Sequence, residues 1–210
     1  MKPTKFIIMA TSLAILTGCA GSGESTAFAP TESSLYITSE GTVTSATVET
    51  YDNDYYSADE LKSSVEEILT AFNTSVNTTD AATINDCTMA DGTAKLLIDF
   101  KDADSYLTFM ESYPDDESAI QITDLDITTV SDGIVKGYIA GETFTKPSDS
   151  GKSISADEVM KQSKLYVAAV EGASLIQTDG AIQYNSSGVS TVGNNMVETP
   201  AGQVSYVVFK

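Results

Sequence analysis

The dipeptide Asp91-Gly92 constrains this chain most, because it fixes both a turn and the register of the two segments that it joins. Asp-Gly suits the positive-φ backbone that a two-residue hairpin loop needs at both central positions. Such a loop opposes Met89 to Ala94 and Cys87 to Leu96. Side chains alternate along a strand, so Ile98 and Phe100 fall on the face of Cys87 and Leu96, with Lys95 and Asp99 opposite. The spacing predicts a hairpin with one apolar face that a second element must cover. It also turns Cys87 inward as a small core group, the habit of free cysteine; a reactive or acylated thiol is the rival reading.

The cover is legible just upstream. Leu61, Val65, Ile68, Leu69 and Phe72 recur at helical spacing and form one apolar stripe over 57–72. Ser57 and Glu60 fit a capping box at its start. A second helix is expected over 103–113, with Asp102 as N-cap, Ala103, Tyr106, Leu107, Met110 and Tyr113 as its stripe, and Pro114 as its stop. Ahead of both, 35–37 and 42–50 read as an opening hairpin around Glu40-Gly41. Val43 and Val48 fall on opposite parities there, which calls for a bulge or burial of both faces.

Downstream, 120–130 and 134–140 read as β segments joined by Ser131-Asp132-Gly133, and 141–157 as a breaker-rich loop with a helical turn near 157–162. Short strands then alternate with turn signals at Glu171-Gly172, Asp179-Gly180, Gly193-Asn194 and Ala201-Gly202. The expected fold class is α+β: a mostly antiparallel β-sheet with one or two packed helices and a β-rich C-terminal part. The expected organisation is a signal peptide over 1–18, a lipidated cysteine and flexible tether over 19–33, an α+β domain over 34–141, a loop or subdomain boundary over 142–163, and the β-rich part over 164–210.

The leader carries the address. Lys2 and Lys5 precede an apolar run over 6–16, closed by small residues. This is the build of an export signal and is shorter than the roughly 20 residues a spanning helix needs. Leu16-Thr17-Gly18-Cys19 resembles a lipobox, which places lipidation at Cys19; a signal anchor, or secretion with an unmodified thiol, is the other reading. Acyl attachment suits an acidic chain. With 11 basic and 30 acidic residues and a formal charge of −19, anionic headgroups and nucleic acid phosphates would both repel it. A buried acyl chain instead contributes about 0.8 kcal/mol per CH2.

Absences narrow the chemistry. There is no His, no Trp and no Arg. That removes histidine bases, imidazole ligands, Ser-His-Asp and Cys-His catalysis, and the guanidinium fork that grips phosphate. With Cys19 acylated, Cys87 has no partner for a disulfide. No catalytic residue, cofactor or metal ligand is expected. Asp52-Asn53-Asp54 fails as a calcium loop, because the positions that should carry an oxygen ligand, a glycine and a glutamate hold Tyr56, Ser57 and Ser63. Asp124 and Asp126 read as wet strand positions. Lys152 with Ser153 and Ser155 lacks the spacing of Ser-Lys enzymes. The densest aromatic cluster, Tyr51, Tyr55 and Tyr56, is the candidate ligand platform, since tyrosine offers an apolar face and a polar tip.

Beyond the lipobox, several stretches carry a resemblance: Ser34-Leu35-Tyr36-Ile37 with Gly41, Asp54-Tyr55-Tyr56 leading into Glu60-Leu61, Phe72-Asn73, and the closing Tyr206-Val207-Val208-Phe209-Lys210. With these the chain resembles uncharacterised extracytoplasmic lipoproteins of clostridia-type Gram-positive bacteria. It departs from them in being rich in Ser and Thr and poorer in Lys. The resemblance implies a surface lipoprotein and transfers no catalytic residue. The expected function is a lipid-anchored module on the extracytoplasmic face of the cell membrane, non-catalytic, binding a cell-wall, glycan or peptide partner or supporting an envelope assembly. Its partners include the membrane, through the anchor, and no nucleic acid. The alternative is a carboxylate-based extracytoplasmic hydrolase.

Overall fold

The structure, a computed structural model, describes residues 28–51, 57–115 and 117–210. It is α+β: among the described residues, strands make up 45% and four helices 23%. The opening hairpin pairs β1 (Ser34–Ile37) with β2 (Val43–Thr50), antiparallel, across a turn whose Gly41 takes φ +87°. β2 has no register shift toward either neighbour, and Val43 and Ala46 are both buried on opposite faces. Two-sided burial, not a bulge, explains its broken alternation.

The Asp91-Gly92 hairpin forms as read. β3 (Ala82–Ala90) and β4 (Thr93–Phe100) pair Met89 with Ala94 and Cys87 with Leu96, and Asp91 and Gly92 take φ +52° and +74°. α1 (Ala58–Ser75) lies against β3 and buries Val65, Leu69 and Phe72. Fully burying such a side chain contributes about 1.5–3 kcal/mol. Ser57 stands at its N-cap in extended geometry but makes no side-chain cap bond, so the expected Ser57–Glu60 box does not form. Ile68, expected in the buried stripe, is 39% exposed. α2 (Ala103–Ser112) starts at Asp102, whose carboxylate accepts from the Ser105 N–H at 2.8 Å. It seats Tyr106 edge-on against Phe100 and Phe109 edge-on against Phe72.

Downstream the chain departs from the sequence reading in three places. β5 (Gln121–Thr129) is followed by a helix, α3 (Val130–Lys136), where a strand over 134–140 was expected. Thr129 caps it by accepting from the Asp132 N–H at 3.1 Å, and Gly137 ends it at φ +85°. These capping signals outweigh the β-branched Ile134 and Val135. Gly133 sits so close to the sheet that a Cβ there would come within 2.7 Å of Val167. The expected loop after 141 is instead a hairpin, β6 (Thr143–Lys146) with β7 (Asp149–Ser155), leading into α4 (Ala156–Met160). Phe144 and Ile154, buried from its two strands, supply the reason.

Glu171-Gly172 is not a turn. It lies inside β8 (Tyr166–Thr178), a strand of 13 residues. Gly172 takes φ +114°, and opposite it the β5 register skips from Ile122 to Asp124, so the pair makes a bulge. β9 (Ile182–Ser186), β10 (Ser190–Gly193), β11 (Met196–Thr199) and β12 (Val204–Phe209) complete the chain, with the Gly193-Asn194 turn closing β10 on β11. One sheet results, in the order β3-β4-β2-β1-β8-β12-β9-β6-β7, with β5 and β11 also on β8. Pairing is antiparallel except between β1 and β8. Ala168 and Val170 of β8 face a core shared with α1 and α2, while Val167 faces a second core with Val130, Ile139, Phe144 and Val159.

Residues 28–33, expected within a loose tether, pack on the sheet. Phe28 stacks on Tyr36 at 5.1 Å, Lys95 Nζ donates to the Pro30 carbonyl at 3.0 Å, and the Val48 N–H donates to Ser33 Oγ at 3.0 Å. Among the described residues no helix is long and apolar enough to cross a membrane.

A Cβ at Gly172 would lie 1.8 Å from the Gln121 carbonyl oxygen. Gly172→Ala should therefore cost about 3 kcal/mol or more, from strain and steric overlap together. That corresponds to a Tm about 6–12 °C lower for a chain of this size. Gly202→Ala, at φ +76° with nothing within 4 Å, should cost only about 1 kcal/mol. Thermal unfolding followed by circular dichroism separates the two.

Candidate functional site

Of the residues singled out in the sequence, Cys19, Tyr55 and Tyr56 lie outside the described residues, as do Asp52, Asn53 and Asp54. Tyr51 is half-buried just past β2, where its N–H donates to the Gly92 carbonyl at 2.9 Å. It sits beside the β3–β4 turn.

Concave surface appears where α1 meets the sheet. A 520 Å³ trough between α1 and β3 is lined by Lys62, Glu66, Asn73, Asn85, Asp86 and Cys87. A register shift in β3 between Ile84 and Asp86 places Asn85 at a bulge. Asn85 Nδ2 donates to Asp99 Oδ2 at 2.7 Å, and Thr44 Oγ1 donates to Asp99 Oδ1 at 2.6 Å, so this carboxylate is held from both sides. Cys87 faces α1 as expected, yet it is only half-buried. Its Sγ lies 3.8 Å from the Ala58 carbonyl. Burial first, then Asp86, push the thiol pKa up, with Lys62 opposing and Asp59 adding to the rise. A thiol held protonated is a poor nucleophile.

The second concavity is apolar. Ile68 of α1 and Tyr113 after α2, 39% and 37% exposed, stand at a 210 Å³ groove floored by Leu96, Ile98 and Phe100. Ile68 escapes the buried stripe because it borders this groove.

A third surface is built by α3. On the sheet face that carries the second core, three cross-strand rows run side by side: Thr128–Val167–Val208, Asp126–Ala169–Tyr206 and Asp124–Glu171–Val204. The Gly133 contact presses α3 onto the first row. The αL turn at Gly137 then swings Tyr138 over the second, where its ring stacks on Tyr206 at 5.6 Å and 27°. Tyr138 Oη donates to Asp126 Oδ2 at 2.8 Å, and Lys136 Nζ bridges the same oxygen at 2.5 Å while lying 5.9 Å above the Tyr138 ring. Burial chiefly, then the Asp126 hydrogen bond and the Asp126 and Asp124 charges, push the Tyr138 pKa up to about 12. Tyr206 is raised as well, by burial and then Glu142. Asp126 was read as a wet strand position; its carboxylate instead organises this aromatic pair.

Sequence reasoning missed that pair, since Tyr138 was assigned to a strand over 134–140 and Tyr206 was noted only within the closing stretch that carries the resemblance. The signals that could have found Tyr138 were Thr129, three residues before Asp132, and Gly137. Among the described residues no group of three Cys, Asp or Glu side chains could hold a metal ion. No family model matches the chain, and neither a curated protein nor a solved structure matches it.

The Tyr138 hydroxyl keeps its proton in the folded chain up to about pH 12, whereas an unfolded tyrosine releases it near 10. Its contribution to stability is therefore full below pH 10 and is lost as pH rises toward 12. Ultraviolet titration of the folded protein should show, beside the buried Tyr106, a late-ionising tyrosine that Asp126→Asn moves toward 10, with denaturation midpoints falling between pH 10 and 12. A titration unchanged in Asp126→Asn would contradict the assignment.

Proposed function

We propose that this chain is a lipid-anchored, non-catalytic binding module held at the extracytoplasmic face of the cell membrane. The observation that carries the reading is Leu16-Thr17-Gly18-Cys19 closing a basic-then-apolar leader. Three further features support it. Phe28, nine positions after Cys19, already packs on the sheet against Tyr36. The charge of −19 gives an anionic membrane surface no other grip. The resemblance to uncharacterised surface lipoproteins points the same way. Binding is favoured over catalysis because the usual reactive groups are missing or engaged. The chain has no His, the Cys87 thiol is held protonated, and Lys136 is paired with Asp126. A carboxylate hydrolase is the second reading, and Glu66 and Asp86 lining one trough favour it.

Metabolic labelling with a clickable fatty acid in a bacterial host tests the anchor. Wild type should carry label and sediment with membranes, and Cys19→Ala should do neither. An unlabelled wild type, or equal label in both, would overturn the reading. Glycan release by the wild type that Glu66→Gln with Asp86→Asn abolishes would replace binding with hydrolysis.

A further inference from the structure

α3 and Tyr138 cover the first two rows of this sheet face and leave the third open. Asp124 and Glu171 are exposed on that row, beside Val204 at 43% exposure. The Tyr138–Tyr206 pair borders them, and Val135, at 87% exposure, projects from α3 nearby in the chain. Carboxylates outnumber cations around the aromatic surface: Asp124 and Asp126 act on Tyr138 and Glu142 acts on Tyr206, while Lys136 is paired with Asp126. A tyrosine ring face attracts cations, and low-dielectric surroundings strengthen that attraction. The structure already holds one such contact, the Lys136 ammonium above the Tyr138 ring, with its charge taken up by Asp126.

We propose that this face, bounded by Asp124, Glu171, Val204, Tyr206 and Tyr138, docks a lysine- or arginine-bearing peptide segment of a partner protein. The proposal rests on the binding-module reading and names its partner class. Charge complementarity selects the occupant. A second copy of this chain, itself strongly acidic, would be repelled, and an acidic or neutral glycan would leave Asp124 and Glu171 without a counter-charge. A cationic side chain meets Asp124 or Glu171 at its head and the Tyr206 ring along its stem, while Val204 takes an apolar neighbour. Exposed pairs contribute little individually, so the docking is weak and sensitive to salt.

Calorimetric titration of the full chain in detergent micelles with tetralysine, at low and at physiological salt, tests this, with the N-acetylated lysine peptide as the neutral probe. Tetralysine should bind and the neutral peptide should not. Asp124→Asn with Glu171→Gln should weaken binding about fivefold, and Tyr206→Leu about threefold. Tyr206→Phe, which keeps the ring, should bind like wild type and controls for folding, checked by circular dichroism. Glu60→Gln with Glu67→Gln removes the same charge from α1 and should change affinity less than twofold. Equal losses from the α1 pair and the sheet pair would show diffuse attraction and overturn the proposal. So would an unaffected Tyr206→Leu variant, self-association as the sole response, or no tetralysine binding. Cys19→Ala should leave this titration unchanged, so a missing anchor and a missing docking face fail separately.

Discussion

The bulged strand β8 is the constraint on which the rest depends. Its first half lies between β5 and β12 and its second between β1 and β11, so four other strands hydrogen-bond to one. Gly172 marks the change of partners. A side chain there would occupy the place of the Gln121 carbonyl, and Thr199 repairs the local pairing by donating to the Gly172 carbonyl at 2.8 Å and accepting from the Ser174 N–H at 3.1 Å. Because the strand is buried on both faces, with Val167 toward one core and Ala168 toward the other, it joins the helices at one end to the β6–β7 hairpin at the other. The candidate surfaces are arranged around it: α1 and α2 cover one side of the sheet, and α3 rests on Val167.

What the chain reveals locally, it reveals well. Asp91-Gly92 dictates its own register, and the stripe through Val65, Leu69 and Phe72 needs only helical periodicity. Most of the failures share a physical cause, a deciding contact far away in sequence; the missing Ser57–Glu60 box and the overlooked Thr129 and Gly137 caps of α3 are local. Glu171-Gly172 looks like a turn until Gln121 is placed against it. The stretch through Gly133, Ile134 and Val135 looks like a strand until Val167 shows why a small residue must face the sheet. Phe144 alone hardly announces a strand, but its burial beside Tyr184 and Val208 requires one. The aromatic surface is the extreme case. Tyr138 and Tyr206 meet only because β12 pairs with β8 and α3 packs on it, a topology no local pattern encodes. Tyr51, the described member of the expected aromatic cluster, ends up beside a turn.

Charge gives these surfaces a common logic. A formal charge of −19 disfavours anionic partners; on the proposed reading, attachment to a membrane would fall to acyl chains and recognition to places where carboxylates gather around apolar surface. Asp126 does both kinds of work at one point. It fixes Tyr138 by a hydrogen bond and neutralises Lys136, which leaves Asp124, Glu142 and Glu171 uncompensated around the rings. Around β3 the design is the opposite: beside the bulge Asp99 is satisfied by Thr44 and Asn85, and in the trough under α1 the Cys87 thiol is kept protonated.

Native-state hydrogen exchange of the β8 amides tests the central claim most directly. If β8 binds the sheet into one cooperative unit, residues 167–170 and 174–178 should share the slowest exchange in the chain and lose protection together as denaturant rises. Two separate opening free energies, one for each half of the strand, would contradict the account.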